Sequence, residues 1–186
     1  PVGAFTFVLH SHLPYARMAG RWPHGEEWIH EAASETYLPL LDALYDLREG
    51  GVPFQLTVGL TPVLVEQLAD EDVKANLDTY LDEKIEAAKL DVRRFEEAED
   101  RHLDLFENTK RSFDDRFGRD IVGAFRALQD DGFIEIVTSA ATHGYLPLLG
   151  ADSSIYGQLR TGVEAYKQHF GRAPRAIWLP ECAYRP

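Results

Sequence analysis

Four short β-like segments alternate with helical segments along this chain, and this alternation constrains the fold more than any other feature. Each segment is rich in β-branched or aromatic residues and bounded by Gly or Pro; the four cover residues 3–10, 54–60, 133–139 and 175–179. Strands that alternate with helices usually form parallel sheets, because each helix carries the chain back to the starting edge. The sequence therefore predicts an α/β fold with parallel strands.

The segments between the strands carry apolar residues at helical spacing. Thr61 and Pro62 are typical of a helix start, and Gly171 is typical of a helix end. The long, charged stretch 70–118 lacks Pro and repeats apolar residues with the same period. We predict one domain over residues 1–186 with a helical excursion over residues 70–118, which we do not expect to take part in chemistry.

Side-chain alternation predicts where a functional site would lie. In the first strand Phe5, Phe7 and Leu9 share a bulky apolar face, which we expect to pack on helices. The opposite face is small or polar and ends in polar residues at the carboxyl end of the strand. This pattern is typical of a TIM-like (β/α)-barrel with its site at the C-terminal face. An open doubly wound sheet also fits it.

Composition excludes several classes of protein. Of 186 residues, 31 are Asp or Glu and 19 are Lys or Arg, so the net charge of -12 argues against a nucleic-acid partner and suits a neutral substrate such as sugar. A single Cys rules out a disulfide framework and favours a reducing compartment. With no signal-like N-terminus and no membrane-spanning stretch, we expect a cytoplasmic protein.

Polar or reactive residues follow every predicted strand. If the strands are parallel, these residues meet at one rim and form a candidate site. In chain order they include His10, His12 and Tyr15, then Gly59 and Thr61, then Ser139, His143 and Tyr145, then Trp178 and Glu181.

The two histidines of the first strand are open to three interpretations. His10 and His12 project to the same side because they are two residues apart on a strand. They could bind a metal with His143 or Glu181, hydrogen-bond to sugar hydroxyls or to a catalytic carboxylate, or simply be satisfied polar residues. Spacing alone does not distinguish these possibilities.

The carboxylate of Glu181 is similarly ambiguous from the residues alone. It could be a nucleophile, a general base, a metal ligand, or the partner of Arg175 or Arg185 in a salt bridge. A serine hydrolase built on Ser11 or Ser139 with His143 is disfavoured, because the chain has no G-x-S-x-G elbow.

Aromatic residues near these clusters would suit a sugar cleft, because aromatic faces stack on pyranose rings, although most aromatics fill cores. The candidates are Tyr15, Trp22, Trp28, Tyr145 and Trp178.

An ordered set of motifs resembles glycoside hydrolase family 57. Residues 10–15, His-Ser-His-Leu-Pro-Tyr, resemble its first motif, and residues 59–62, Gly-Leu-Thr-Pro, its second. Residues 178–181, Trp-Leu-Pro-Glu, resemble its third motif, whose Glu is the family's nucleophile. Residues 22–27, 35–41 and 138–145 resemble the 1,4-α-glucan branching enzymes of the family.

The resemblance implies a partial, distorted TIM-like barrel with an inserted helical region, of which this chain would hold only the first strands. It implies a retaining α-glucan transglycosidase that acts on α-1,4-glucan without a metal or other cofactor. Glu181 would be the nucleophile. The three histidines, with Tyr15, Trp22, Trp28, Tyr145 and Trp178, would bind substrate.

The family's general acid, an Asp in a fourth motif, would follow the third motif, and the chain ends at Pro186. We therefore expect the chain to be a fragment that is inactive alone. Within the family, a 4-α-glucanotransferase or an α-amylase-type hydrolase is the alternative. A metal-dependent polysaccharide deacetylase and a catalytically silent glucan-binding fragment are the alternatives outside it.

Overall fold

Three parallel strands form the sheet of this protein. The computed structural model describes residues 2–3, 5–21, 23, 25–94 and 101–185. The strands are β1 (Val8–Ser11), β2 (Leu56–Leu60) and β3 (Ile134–Val137), and they lie in the order β1-β2-β3. Both pairings are parallel, so the predicted α/β class is confirmed.

The register of the sheet aligns the carboxyl ends of the strands. His10 pairs with Gly59, and Gly59 pairs with Val137. The residues that follow each strand therefore emerge at the same edge of the sheet, as predicted for a site at the C-terminal face.

Helices connect the strands and fill the long segment between β2 and β3. None in the described ranges is long and apolar enough to cross a membrane. Helices α4 (Glu71–Arg94) and α5 (Arg101–Arg111) lie inside the predicted helical excursion, whose boundaries at residues 70 and 118 stay a prediction. In the described residues the α-helices are α1 (Glu27–Ala32), α2 (Leu38–Glu49), α3 (Pro62–Leu68), α4 (Glu71–Arg94), α5 (Arg101–Arg111), α6 (Ile121–Asp130) and α7 (Asp152–Phe170).

The chain forms two compact units, each with its own apolar core. Unit 1 comprises residues 1–15, 47–67 and 125–186 and contains the sheet; unit 2 comprises residues 16–46 and 68–124. The core of unit 1 includes Val58, Leu60, Leu64, Phe125, Leu128, Ile136 and Phe170, and that of unit 2 includes Ile29, Leu38, Leu41, Leu77, Leu81 and Phe113.

Local sequence signals set the ends of two helices in unit 1. Helix α3 begins at Pro62, where the missing N–H costs nothing, and Thr61 O accepts the amide hydrogens of Leu64 and Val65. Helix α7 ends at Gly171, whose φ of 71° is the left-handed conformation that glycine adopts without a steric penalty.

The first and fourth predicted strands are shorter than expected. Strand β1 starts at Val8, which pairs with Thr57, and the carbonyl oxygen of Phe7 just before it still accepts from the amide of Thr57 at 3.1 Å. The fourth strand is reduced to one parallel bridge between Thr138 and Ile177. Pro174 and Pro180 flank this bridge, and neither can donate a ladder hydrogen bond.

The prediction that the bulky face of the first strand packs on helices is wrong for the described residues. Phe5 and Phe7 are 85% and 61% exposed and pack on each other edge to face, and Leu9 is exposed as well. The physical reason is that burial depends on which elements cover a face, and the described residues leave this face of β1 largely uncovered. By contrast, Val58 and Leu60 of the central strand β2 are buried, as predicted.

Candidate active site

Three histidines and a tryptophan stack at the carboxyl edge of the sheet. The ring centroids are 4.1 Å apart for His12 and His143, 5.1 Å for His143 and His10, and 5.1 Å for His10 and Trp178. The interplanar angles lie between 18° and 26°, so the rings face one another rather than converge on a point. The predicted meeting of residues from the first, third and fourth strands is therefore present.

Strand β1 and a glycine of β2 position the first histidine. A Cβ at Gly59 would lie 3.1 Å from His10 Nδ1, which is closer than ordinary van der Waals contact. Gly59 therefore leaves room for the His10 ring, which a Cβ at this position would displace by a few tenths of an ångström. His12 follows the strand, and its Nδ1 lies 3.2 Å from the hydroxyl of the buried Thr61.

The loop after β3 carries the third histidine and is fixed by α7. The Gln158 side chain accepts from the amide of Thr142 at 2.9 Å and donates to the Thr142 hydroxyl at 2.8 Å. His143 itself has a φ of 57°, a conformation that costs energy for a residue other than glycine. The surrounding loop contacts therefore hold this ring in place against local backbone strain.

Glu181 occupies a tight turn directly after the parallel bridge. The turn Pro180–Cys182 places both Glu181 and Cys182 at a φ of 55°. The Glu181 side chain is 69% exposed, and its Oε1 lies 3.5 Å from His143 Nε2. Non-glycine residues in the left-handed region often mark functional sites, and two of the residues in this cluster adopt it.

The ring stack favours neutral imidazoles. Burial lowers the pKa of His12, an effect that His10 increases and that Glu181 opposes. The pKa of His10 is also lowered by desolvation, because its two ring faces are covered although the residue is exposed by area. Burial, followed by the nearby His12 and His10, lowers the pKa of His143 to about 4. At neutral pH the cluster is therefore a set of neutral donors and acceptors.

The structure gives evidence on two possible roles of this cluster, a metal site and a salt bridge between Glu181 and Arg175. Among the described residues no group of three or more His, Cys, Asp or Glu side chains is arranged to hold a metal ion. Arg175 donates to Glu135 at 3.2 Å, so it forms a salt bridge elsewhere on the sheet, whereas Glu181 contacts His143.

The remaining predicted site residues lie outside the ring stack. Tyr15 and Tyr145 belong to unit 1 and are exposed. Trp28 belongs to α1 in unit 2 and is 39% exposed, so it is not a core residue. Trp22 lies outside the described residues. The roles of all four as substrate-binding residues stay predictions.

Two hydroxyl residues that support the histidines were not assigned this role from the sequence. Thr61 contacts His12, and Ser139 contacts His143, with its hydroxyl 3.1 Å from Nδ1. Both follow strand ends, which was the available signal. Their pairing with particular rings depends on register and loop geometry, which the sequence does not specify.

A separate cavity of about 730 Å³ lies at the opposite ends of the strands and is lined by residues such as Thr6, Gln55, Glu135 and Arg172. None of the stacked rings and no part of the Glu181 turn lines it. The exposed cluster, rather than this cavity, brings together groups capable of nucleophilic and hydrogen-bonding chemistry, so we take the cluster as the candidate site.

Two relatives named as branching enzymes resemble this chain in sequence. It is 48% identical over 186 residues to a 1,4-alpha-glucan branching enzyme of Thermococcus kodakarensis, and the match covers 99% of this chain and 28% of that protein. It is 32% identical over 203 residues to a probable 1,4-alpha-glucan branching enzyme of Mycobacterium tuberculosis, covering 99% and 38%. The chain therefore spans well under half the length of these relatives.

Solved structures of two related enzymes are also similar to this chain. A GH57-type branching enzyme of Pyrococcus horikoshii superposes with a TM-score of 0.93 at 48% identity, covering 97% of this chain and 35% of that one. The alpha-amylase AmyC of Thermotoga maritima gives a TM-score of 0.86 at 33% identity, covering 96% and 35%. The predicted fold, a partial barrel with parallel strands, is thus confirmed.

The sequence profile of glycosyl hydrolase family 57 matches residues 6–186. This range includes the whole ring stack and the Glu181 turn, so the match extends over the candidate site as well as the sheet. The chain therefore belongs to glycosyl hydrolase family 57.

Proposed function

We propose that the protein carrying this chain is a retaining 1,4-α-glucan branching enzyme, with Glu181 as its nucleophile. One observation carries the proposal: an exposed carboxylate lies beside three neutral histidines, in a chain 48% identical to a branching enzyme. The metal-dependent deacetylase is not proposed, since the family is one of glycosyl hydrolases.

The proposed reaction has two displacements. Glu181 Oε attacks the anomeric carbon of an α-1,4-glucan, the glycosidic C–O bond breaks, and a general acid protonates the leaving oxygen. The 6-hydroxyl of a second glucan then displaces Glu181 and gives up its proton to the same group, which now acts as base. This yields an α-1,6 branch with retained configuration.

The general acid of this scheme would come from a part of the protein outside this chain. Two carboxyl groups about 5–5.5 Å apart are needed for a retaining mechanism. The relative from Thermococcus is more than three times as long as the segment matched here, which leaves ample sequence for the second carboxyl group.

The neutral histidines suit a substrate that carries hydroxyl groups and no charge. A neutral imidazole offers one donor and one acceptor, so each ring can orient a sugar hydroxyl next to Glu181. Trp178 covers His10 and extends the stack with a flat apolar face, which is the surface that a pyranose ring contacts.

Product analysis distinguishes the proposed reaction from its rival within the family. The likeness to the alpha-amylase AmyC makes hydrolysis the second candidate. We expect the full-length protein, incubated with amylose, to create α-1,6 linkages detectable by proton NMR and by debranching, with little gain in reducing ends. A rise in reducing ends without α-1,6 linkages would support the hydrolase and contradict the branching enzyme.

Replacing Gly59 with Ala is expected to lower branching activity about tenfold with little change in melting temperature. The new methyl group would press on His10 Nδ1 at 3.1 Å, and displacement of a positioned group by a fraction of an ångström reduces rate. Gly150→Ala is the matched control, because a Cβ at Gly150 meets no atom of the described residues within 4 Å. Equal activities of the two variants would contradict this role for Gly59.

A further inference from the structure

Ser139 connects the backbone of Trp178, which follows the bridge residue Ile177, to the ring of His143. Its hydroxyl oxygen lies 2.8 Å from the carbonyl oxygen of Trp178 and 3.1 Å from His143 Nδ1. Ser139 is 1% exposed and His143 is 8% exposed, so water does not compete for these contacts. Both hydrogen bonds must therefore be satisfied within the protein.

A count of hydrogens determines which ring nitrogen of His143 is protonated. The serine hydroxyl has one hydrogen, and a carbonyl oxygen can only accept, so this hydrogen points to Trp178 O. The hydroxyl oxygen must then accept from His143 Nδ1, which requires a hydrogen on Nδ1. In the neutral ring Nε2 consequently carries a lone pair.

This lone pair faces the proposed nucleophile. Nε2 is buried and has no hydrogen-bond partner among the described residues, and Glu181 Oε1 lies 3.5 Å away. Two lone pairs that face each other across this distance cannot hydrogen-bond unless a proton lies between them. One proton would turn the contact into a charge-assisted hydrogen bond.

The structure assigns Ser139 as a positioning residue: it holds His143 in the Nδ1–H tautomer, so that a bare Nε2 faces Glu181. A single proton shared by Nε2 and Oε1 then switches the carboxylate off on acidification. The catalytic part of this assignment depends on the nucleophilic role proposed for Glu181, whereas the tautomer does not.

Neutral pH keeps this proton away. The groups that face His143 are His10 on β1, His12 just after it and Glu181 in the Pro180–Cys182 turn. Burial and the two histidines lower the pKa of His143 to about 4, against the opposing effect of Glu181. The Glu181 lone pair that points to Nε2 is therefore not engaged by a donor and is free to attack.

The tautomer can be measured without any substrate. In full-length protein labelled with ¹⁵N-histidine, long-range ¹H–¹⁵N spectra at pH 7.5 should show His143 protonated at Nδ1 and bare at Nε2. The signals are assigned from their loss in His143→Asn, since Asn tolerates the left-handed backbone found at this position. A His143 protonated at Nε2 in the unmodified protein would overturn the inference, whatever reaction the protein catalyses.

Kinetics test the consequence for the carboxylate. An α-maltooligosyl fluoride is the donor, because its leaving group needs no protonation and the acid limb of kcat/KM then reports the nucleophile. Ser139→Ala frees His143 to protonate Nε2 and donate to Glu181. We expect its plateau rate to fall about tenfold and its acid limb to move down by about one pH unit.

Matched variants separate positioning from a structural defect. Ser139→Thr keeps the hydroxyl and should restore the acid limb, and Ser154→Ala, an exposed serine of α7, should match the unmodified protein. If Ser139→Ala lowers the plateau of kcat/KM but leaves the acid limb of its pH profile unmoved, Ser139 has only a packing role. That result would overturn the proposed proton switch between His143 and Glu181. If the fluoride donor gives no turnover at all while the spectra show Nδ1–H, the proposed function fails and the tautomer assignment stands.

Discussion

Glu181→Gln is expected to lower chain transfer by about 10³- to 10⁵-fold while glucan binding is retained. The amide has nearly the same shape as the carboxylate but lacks the charge and the nucleophilic oxygen needed for a covalent glycosyl-enzyme. The Glu181 side chain is largely exposed and, within the described residues, forms its ion-pair contact with His143, so the fold does not depend on its charge. Branching rates with amylose and binding isotherms with maltooligosaccharides measure the two effects.

Glu181→Gly makes this test specific for a nucleophile. At a φ of 55° glycine is the residue that fits the backbone without strain, so this variant removes the side chain and leaves the turn intact. Azide can then enter the space of the carboxylate, and with an activated α-glucosyl donor it should form a β-glucosyl azide. Glu164→Gln, an exposed carboxylate of α7, is the control and should keep full activity. Near-normal branching by Glu181→Gln would exclude the nucleophilic role.

Gly162→Ala is expected to destabilise the protein by about 2–3 kcal/mol. Gly162 lies in α7 where the helix crosses the loop after β3, and a Cβ there would be 2.3 Å from the carbonyl oxygen of Ser139. A carbonyl of the backbone cannot rotate away as a flexible side chain would. The Thr138 hydroxyl also donates to Gly162 O at 3.2 Å, so the two segments would have to separate and lose this bond.

Gly157→Ala provides the matched control within the same helix. In the part of the chain that the structure describes, a Cβ at Gly157 meets no atom within 4 Å, so alanine should be neutral or should stabilise by up to about 1 kcal/mol through helix propensity. Chemical denaturation of the full-length proteins measures the free energies of unfolding. Equal stabilities of the two variants would show that the helix and the loop are not in the close contact described here.

Much of the site could be predicted from the sequence, because in a parallel sheet the residues that follow each strand lie at the same edge. Alternation along β1 places His10 and His12 on one side, and the parallel arrangement brings residues after β3 and the fourth strand to the same edge. The motif around Glu181 marked it as the family's nucleophile by resemblance, while the residues alone left a salt bridge or a metal ligand open.

The burial of the first strand and the length of the fourth could not be predicted from the sequence, for physical reasons. Phe5 and Phe7 have the alternation of a buried strand, yet they are exposed, since burial depends on which elements cover a face and not on the residues of that face. The fourth segment has strand-like composition but forms a single bridge between two prolines. Composition thus predicted the places of the strands better than their lengths.

The sequence by itself determined the parallel α/β class, the family, and the strand ends that bring His10, His12, His143, Trp178 and Glu181 to the carboxyl edge of the sheet. Only the tertiary structure decided the order of the ring stack, the distance from His143 to Glu181, and the hydroxyl that fixes the tautomer of His143. The reason is geometric: alternation sets the side to which a residue points, whereas contacts between rings depend on register, left-handed turns and close approaches at Gly59 and Gly162.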